Sequence, residues 1–158
     1  MLKIISLIWF LLIFSTNAYS AGSDSTPKKV KSDYDKAVES IKFAKKYEKK
    51  GKVEKAKKRY EKAQKFLLKS NQSKPNQADT LNYLGFTTRK LGDYENGEKY
   101  YLMGLEIDPN HKGINEYLGE LYVTTNRLDL AKERLQVLKS CNCEEYDKLK
   151  ENKEGVKE

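Results

Sequence analysis

The sequence predicts an all-α fold of stacked helix–turn–helix repeats, and three observations carry that expectation. Gly85 and Gly119 lie 34 residues apart, and each opens the same pattern. The first copy runs Leu81, Leu84-Gly85, Leu91-Gly92-Asp93-Tyr94, Tyr100-Tyr101 and Asp108-Pro109-Asn110; the second runs Leu118-Gly119, Tyr122, Asn126-Arg127-Leu128, Ala131 and Leu135. A fixed period with matching chemistry marks units that bury their apolar faces against one another. No stretch alternates apolar and polar residues with a period of two, so no sheet is expected. Gly51, Gly92 and Asn126 separate the paired helical segments, at places where a turn needs a left-handed residue.

The elements follow in order. A degenerate first pair is expected over 33–70, as helices 33–50 and 52–70. Ala44 stands 41 residues before Gly85 and takes the small position; Tyr47, Gly51, Val53, Ala56, Tyr60 and Ala63 then fall in register. A spacing of 41 in place of 34 inserts about seven residues. The polar, Pro-containing stretch 70–76 accommodates them, as a longer helix or loop with a linker at 71–76. The second pair occupies 77–111, as helices 77–91 and 94–107. The third occupies 112–140, as helices 111–125 and 128–140. Residues 141–158 form a capping helix, near 143–153, and a tail. Its first turn holds Glu144 and Glu145, with Lys148 and Lys150 later, as the helix dipole favours.

Leu81, Leu84, Gly85, Gly92, Tyr94, Tyr101 and Pro109, followed by Leu118, Gly119, Tyr122, Ala131 and Leu135, resemble the tetratricopeptide repeat. The resemblance is strongest over 78–111. It implies a short right-handed solenoid with a C-terminal capping helix, and a binding scaffold rather than a reaction centre. Gly97 and Gly104 stand where the family carries Ala. Both keep the close helix approach, at about 1 kcal/mol per Gly relative to Ala, so this helix is expected to be the softest of the stack.

In that family the first helix of each repeat lines a concave groove. The implied partner-binding residues are Asp79, Asn82, Phe86, Arg89 and Lys90 in the middle repeat, and Glu116 and Glu120 in the last. Gly113, Val123 and Thr124 flank them, and Val38, Ile41, Lys45, Glu48 and Lys49 are the counterparts in the first pair. Chaperone-binding members grip a terminal carboxylate with a basic clamp; here Glu116 and Glu120 stand where basic groups are needed. Phe86 is expected as an exposed anchor beside Arg89, and the ligand as a peptide or helix of mixed charge. The run Cys141-x-Cys143-Glu144-Glu145-Tyr146-x-x-Leu149 is similar to the tail of small exported bacterial tetratricopeptide proteins.

Charge is uneven. The segment from Lys28 to Lys74 holds 18 Lys or Arg against 6 Asp or Glu, a net +12, while 75–158 holds 12 against 16, a net −4. The basic half suits an anionic membrane surface, an acidic protein or a polyanion, or is a solvated helix pair. Its only fork donor is Arg59, so specific phosphate or base recognition is not expected, nor nucleic acid as a partner.

Residues 1–20 read as a signal peptide. Lys3 is followed by an apolar run over 4–14, and Ala18-Tyr19-Ser20 supplies small residues for cleavage before Ala21. The run of about 11 residues spans roughly 16 Å as a helix, against the roughly 30 Å of a bilayer core. The expected location is periplasmic or secreted, with an uncleaved inner-membrane anchor as the alternative. Residues 21–32, rich in Ser, Lys and Pro, read as a disordered mature N-terminus.

Cys141 and Cys143 admit three readings: a local disulfide at the turn into the capping helix, free or partner-linked thiols, or a soft-metal or redox site. Two ligands do not complete a zinc site, and His111, after Asp108-Pro109-Asn110, reads as a helix-entry residue. No nucleophile–base set, phosphate loop or ligand cluster is seen, so no enzyme, cofactor, metal or small-molecule substrate is expected. The expected function is an exported scaffold that binds another envelope protein or peptide. The alternatives are redox or soft-metal handling through Cys141 and Cys143, or membrane-surface association through the Lys-rich half. N-terminal sequencing of protein recovered outside the cytoplasm should begin at Ala21; an intact Met1 on membrane-bound protein would establish the anchor instead.

Overall fold

The computed structural model describes residues 30–154, so the predicted signal peptide, the Ala21 junction and all but the last three residues of the 21–32 segment lie outside the described residues. Seven helices and no strand occur among the described residues: α1 (Asp33–Glu48), α2 (Val53–Ser73), α3 (Ala78–Lys90), α4 (Tyr94–Ile107), α5 (Lys112–Thr124), α6 (Leu128–Leu138) and α7 (Glu144–Glu154). The starts have local causes. Ser32 and Asp35 form a reciprocal capping box on α1. Asp93 accepts from the Asn96 N–H at the start of α4. His111 does the same for α5, its Nδ1 accepting from the Ile114 N–H at 3.1 Å, the helix-entry role its position predicts.

The turns between paired helices need left-handed residues. Gly92 has φ +96° and Asn126 has φ +56°, so Asn takes in the last pair the place Gly holds in the middle one. The inserted residues lengthen a helix rather than a loop. Residues 71–73, expected in the linker, form the last turn of α2, which closes with the Lys74 N–H donating to the Ser70 carbonyl. Pro75 sets that limit, because the residue before a proline is forced out of the helical region.

Helices pair as α1 with α2, α3 with α4 and α5 with α6, and α7 packs on α5 and α6. The odd helices also touch in succession, whereas α2, α4 and α6 do not touch one another. The odd helices therefore form a continuous inner layer and the even ones an outer layer. One core lies among α1, α2 and α3, built on Ile41, Tyr60, Leu67, Leu81, Leu84 and Phe86. A second, on Tyr101, Ile114, Leu118, Leu121 and Tyr122, joins α4, α5 and α6. Fully burying one such aliphatic or aromatic side chain is worth about 1.5–3 kcal/mol.

Small residues set how closely the layers approach. A Cβ on Gly85 would lie 2.5 Å from Tyr101 Cε1, and one on Gly97 would lie 3.2 Å from the Gly85 carbonyl oxygen. A Cβ on Gly104 would collide with Ile114 Cδ1, and one on Gly119 with the Leu149 methyls. Ala44 is fully buried at the matching place in the first pair. Most expected repeat residues lie where the pattern puts them, with Leu81, Leu84, Tyr101, Leu118, Tyr122 and Ala131 buried. Tyr94 does not: as the first residue of α4 it is 42% exposed and adds little to the core.

The Cys pair is closed as a Cys141–Cys143 disulfide in the turn between α6 and α7. Gly85→Leu should force Tyr101 out of its socket and destabilise the fold by about 1–3 kcal/mol or more. Thermal unfolding of the variant should fall by several degrees; an unchanged midpoint would show that α3 and α4 tolerate wider separation.

Candidate functional site

The inner layer presents a face built from α1, α3, α5 and the start of α7. Three polar contacts hold its floor together. Arg89 Nη2 donates to Glu120 Oε2 at 2.6 Å, linking α3 to α5. Asn152 Nδ2 donates to Glu120 Oε1 at 3.1 Å, adding α7. Lys90 Nζ lies 2.9 Å from Glu48 Oε1, tying α3 to α1, while the Tyr60 hydroxyl donates to Glu48 Oε2 at 2.7 Å. Lys45 Nζ sits 4.6 Å from the Phe86 ring centroid and donates to the Tyr117 hydroxyl at 3.1 Å.

This arrangement corrects the expected anchor. Phe86 is only 3% exposed, wedged between Tyr60 and Tyr117 at centroid distances of 5.7 and 4.8 Å. Lys45 covers it and Arg89 stands at its edge, so the ring is core rather than contact surface. Arg89 is committed to Glu120. Among the other expected groove residues, Asp79, Lys90, Glu48, Lys49 and Thr124 are exposed, Val38 and Gly113 are half-buried, and Ile41 and Val123 lie in the floor.

The aromatic groups that do face the groove are Tyr83 and Tyr117. Tyr83 separates two adjoining hollows. One, of about 430 Å³, is lined by Val38, Ile41 and the lysines 42, 45, 46 and 49. The other, of about 490 Å³, is lined by Asp79, Asn82, Asp108, Glu116, Tyr117 and Glu145, with His111, Lys112 and Lys148 on its wall. The first is basic and the second mainly acidic, so the charge grading legible in the sequence is carried by the groove itself. Tyr83 and Tyr117 were not singled out by the repeat pattern, although a signal existed: they stand one 34-residue period apart, at one place in two successive units.

Glu116 is the most perturbed carboxylate of the face. It is 4% exposed, and burial, with the charge of Glu120 adding, raises its pKa from 4.5 to about 7. Around it stand Glu120 and Tyr117 on α5, Lys45 from α1, Asp79 from α3, and Glu145 and Lys148 from α7. Tyr117 beside it is pushed up to about 12, again chiefly by burial. At the rim, His111 Nε2–H donates to Asp79 Oδ1 at 3.1 Å, fastening the start of α5 to α3. The free lysines of the basic half are mostly elsewhere: Lys55, Lys58, Lys65 and Lys69 stand exposed on α2, in the outer layer. Among the described residues no helix is long and apolar enough to cross a membrane.

A carboxylate whose pKa is higher folded than unfolded binds more protons in the native state, so its contribution to stability is complete below about pH 4.5 and lost as pH rises towards 7. Glu116→Gln removes that loss. The variant should be about as stable as the parent near pH 4.5 and more stable by a margin on the order of 2 kcal/mol above pH 7. Denaturant titrations of both proteins across that range measure the difference; a constant gap would place the Glu116 carboxyl in water.

The family model described as tetratricopeptide repeat matches residues 78–111. A search of curated proteins finds no match. Among solved structures, the chain is similar to the first TPR of Spaghetti (RPAP3) bound to the HSP90 peptide SRMEEVD, with 18% identity, a TM-score of 0.49, and coverage of 80% of this chain and 98% of that one. Residues 78–111, filled by α3 and α4, therefore make a tetratricopeptide repeat, and α5 and α6 follow it at the same 34-residue spacing.

Proposed function

We propose that this protein is a non-enzymatic scaffold, exported to the cell envelope or beyond, which binds a segment of another envelope protein along its inner face. The tetratricopeptide fold is an interaction scaffold, and the observation that carries the reading further is the pair of adjoining hollows that share Tyr83. A partner lying across that ring would place acidic groups over the lysines of α1 and basic groups against the α3–α5 end. Preformed helices bind such a segment at low ordering cost, and their opposed charges fix its direction. Export is supported by the leader-like pattern of residues 1–20 and by the closed Cys141–Cys143 pair, which suits an oxidising compartment.

Site-specific photocrosslinking in the producing cell tests this. A photoreactive residue replacing Tyr83, on the inner face, should yield a discrete protein adduct in the extracytoplasmic fraction. The same residue replacing Leu102, exposed on α4 in the outer layer, should not. Adducts from Leu102 alone, or none from either position, would overturn the groove reading. Adducts found only in the cytoplasm would overturn the location.

A further inference from the structure

We infer that the hollow between α3 and α5 is a receptor for one arginine side chain of the bound partner, with Glu116 as counter-ion and the Asn82 side-chain oxygen as hydrogen-bond acceptor. The inference rests on the groove reading and names the chemistry of one subsite within it.

Two independent observations point to a missing cation. The Glu116 residue is 4% exposed and no protein group pairs with its carboxylate among the described residues, so that its oxygens keep solvent contact in the hollow they line. Two of the nearby cations are engaged elsewhere, Lys148 Nζ lying 2.7 Å from Glu144 Oε1 and Lys45 Nζ donating to Tyr117, while Lys112 stands exposed on the wall. A buried carboxylate without a partner is costly and is normally paired or protonated. The second observation is Asn82, 5% exposed and lining the same hollow, whose Oδ1 has no hydrogen-bond partner. A buried acceptor left unpaired is uncommon in native proteins, and a ligand donor is one of the ordinary explanations.

The remaining wall selects the kind of cation. Asp79 and Glu145 add carboxylates at the rim, and the Tyr83 and Tyr117 rings flank the space. Among the described residues, no three His, Cys, Asp or Glu side chains are grouped to hold a metal ion. Acceptors spread over two helices, beside aromatic faces, suit a flat cation with several N–H donors. A guanidinium meets that description and is more weakly hydrated than an ammonium. Gly113 contributes by having no side chain: a Cβ there would lie 2.8 Å from Asn82 Nδ2 and would displace the amide.

The test uses Nα-acetyl-arginine amide and its uncharged isostere, Nα-acetyl-citrulline amide, as probes of the full mature chain followed by backbone amide NMR. The arginine probe should shift the resonances of Asn82, Gly113, Glu116 and Tyr117, and citrulline should not. Glu116→Gln, which is expected to fold at least as well as the parent, should weaken arginine binding by about tenfold or more. Affinity should strengthen from about pH 6 to about pH 8 in the parent and stay flat in the variant, because the carboxylate must shed its proton to pair. Equal shifts from both probes, or equal arginine affinity in Glu116→Gln, would overturn the inference. If the Tyr83 adduct forms while arginine binds without charge selectivity, the receptor falls and the groove reading stands. If arginine binds selectively and no adduct forms, the receptor stands and the protein-partner reading falls.

Discussion

The fold depends on large side chains seated over residues that have almost none. Tyr101 of α4 sits over Gly85 of α3, Ile114 of α5 over Gly104 of α4, and Leu149 of α7 over Gly119 of α5. Each contact lets two helices approach more closely than a Cβ would permit, and each joins neighbours along the stack. Because a solenoid has no long-range closure, its stability is close to a sum of such adjacent contacts. The last is the most instructive. Leu149, fully buried, fills the socket of the final repeat from a helix that belongs to no repeat, so α7 supplies the neighbour that Gly119 would otherwise lack.

That interlock is also what gives the inner face its electrostatics. Docking α7 brings Asn152 to Glu120, and Lys148 and Glu145 to the hollow that Glu116 lines. The Arg89–Glu120–Asn152 chain then fixes three helices at one point. Removing one member would leave a poorly solvated charge, which costs more than the pair itself contributes. The floor of the groove is therefore rigid, while its rim of Lys49, Lys90, Asp79 and Thr124 stays in contact with solvent.

The helices were legible because they rest on local chemistry repeated at a fixed interval. The 34-residue period, the left-handed Gly92 and Asn126, and the small residues at crossings set the elements almost residue by residue. The extent of α2 was harder to read, since a polar stretch before Pro75 is compatible with either loop or helix, and the helix runs on until the Lys74 N–H donates to the Ser70 carbonyl. The site was less legible for a different reason. Phe86 sits where a groove contact belongs, but its exposure depends on what covers it, and Lys45 of α1 and Tyr117 of α5 come from 41 and 31 residues away in sequence. Pattern alone places a residue on a helix face; it does not say which neighbour lies over it.

Net charge shows the same separation of scales. The sum of +8 suggests a protein that seeks anions, and the basic half reinforces that impression. The largest single share of that surplus stands on α2 in the outer layer, however, while the inner face neutralises Arg89 with Glu120 and Lys90 with Glu48. What a segment lying in the groove meets is therefore not the average charge but the residue that internal pairing leaves over: lysines along α1 and carboxylates between α3 and α5. Screening reinforces the distinction. At physiological salt the Debye length is about 8 Å, so exposed lysines on α2 act on approach but fade across the thickness of a helix layer. Glu116, set in the hollow between α3 and α5, acts at short range on whatever side chain enters it. The outer charge can influence how fast a partner arrives, whereas the buried carboxylate governs which side chain it can leave in place.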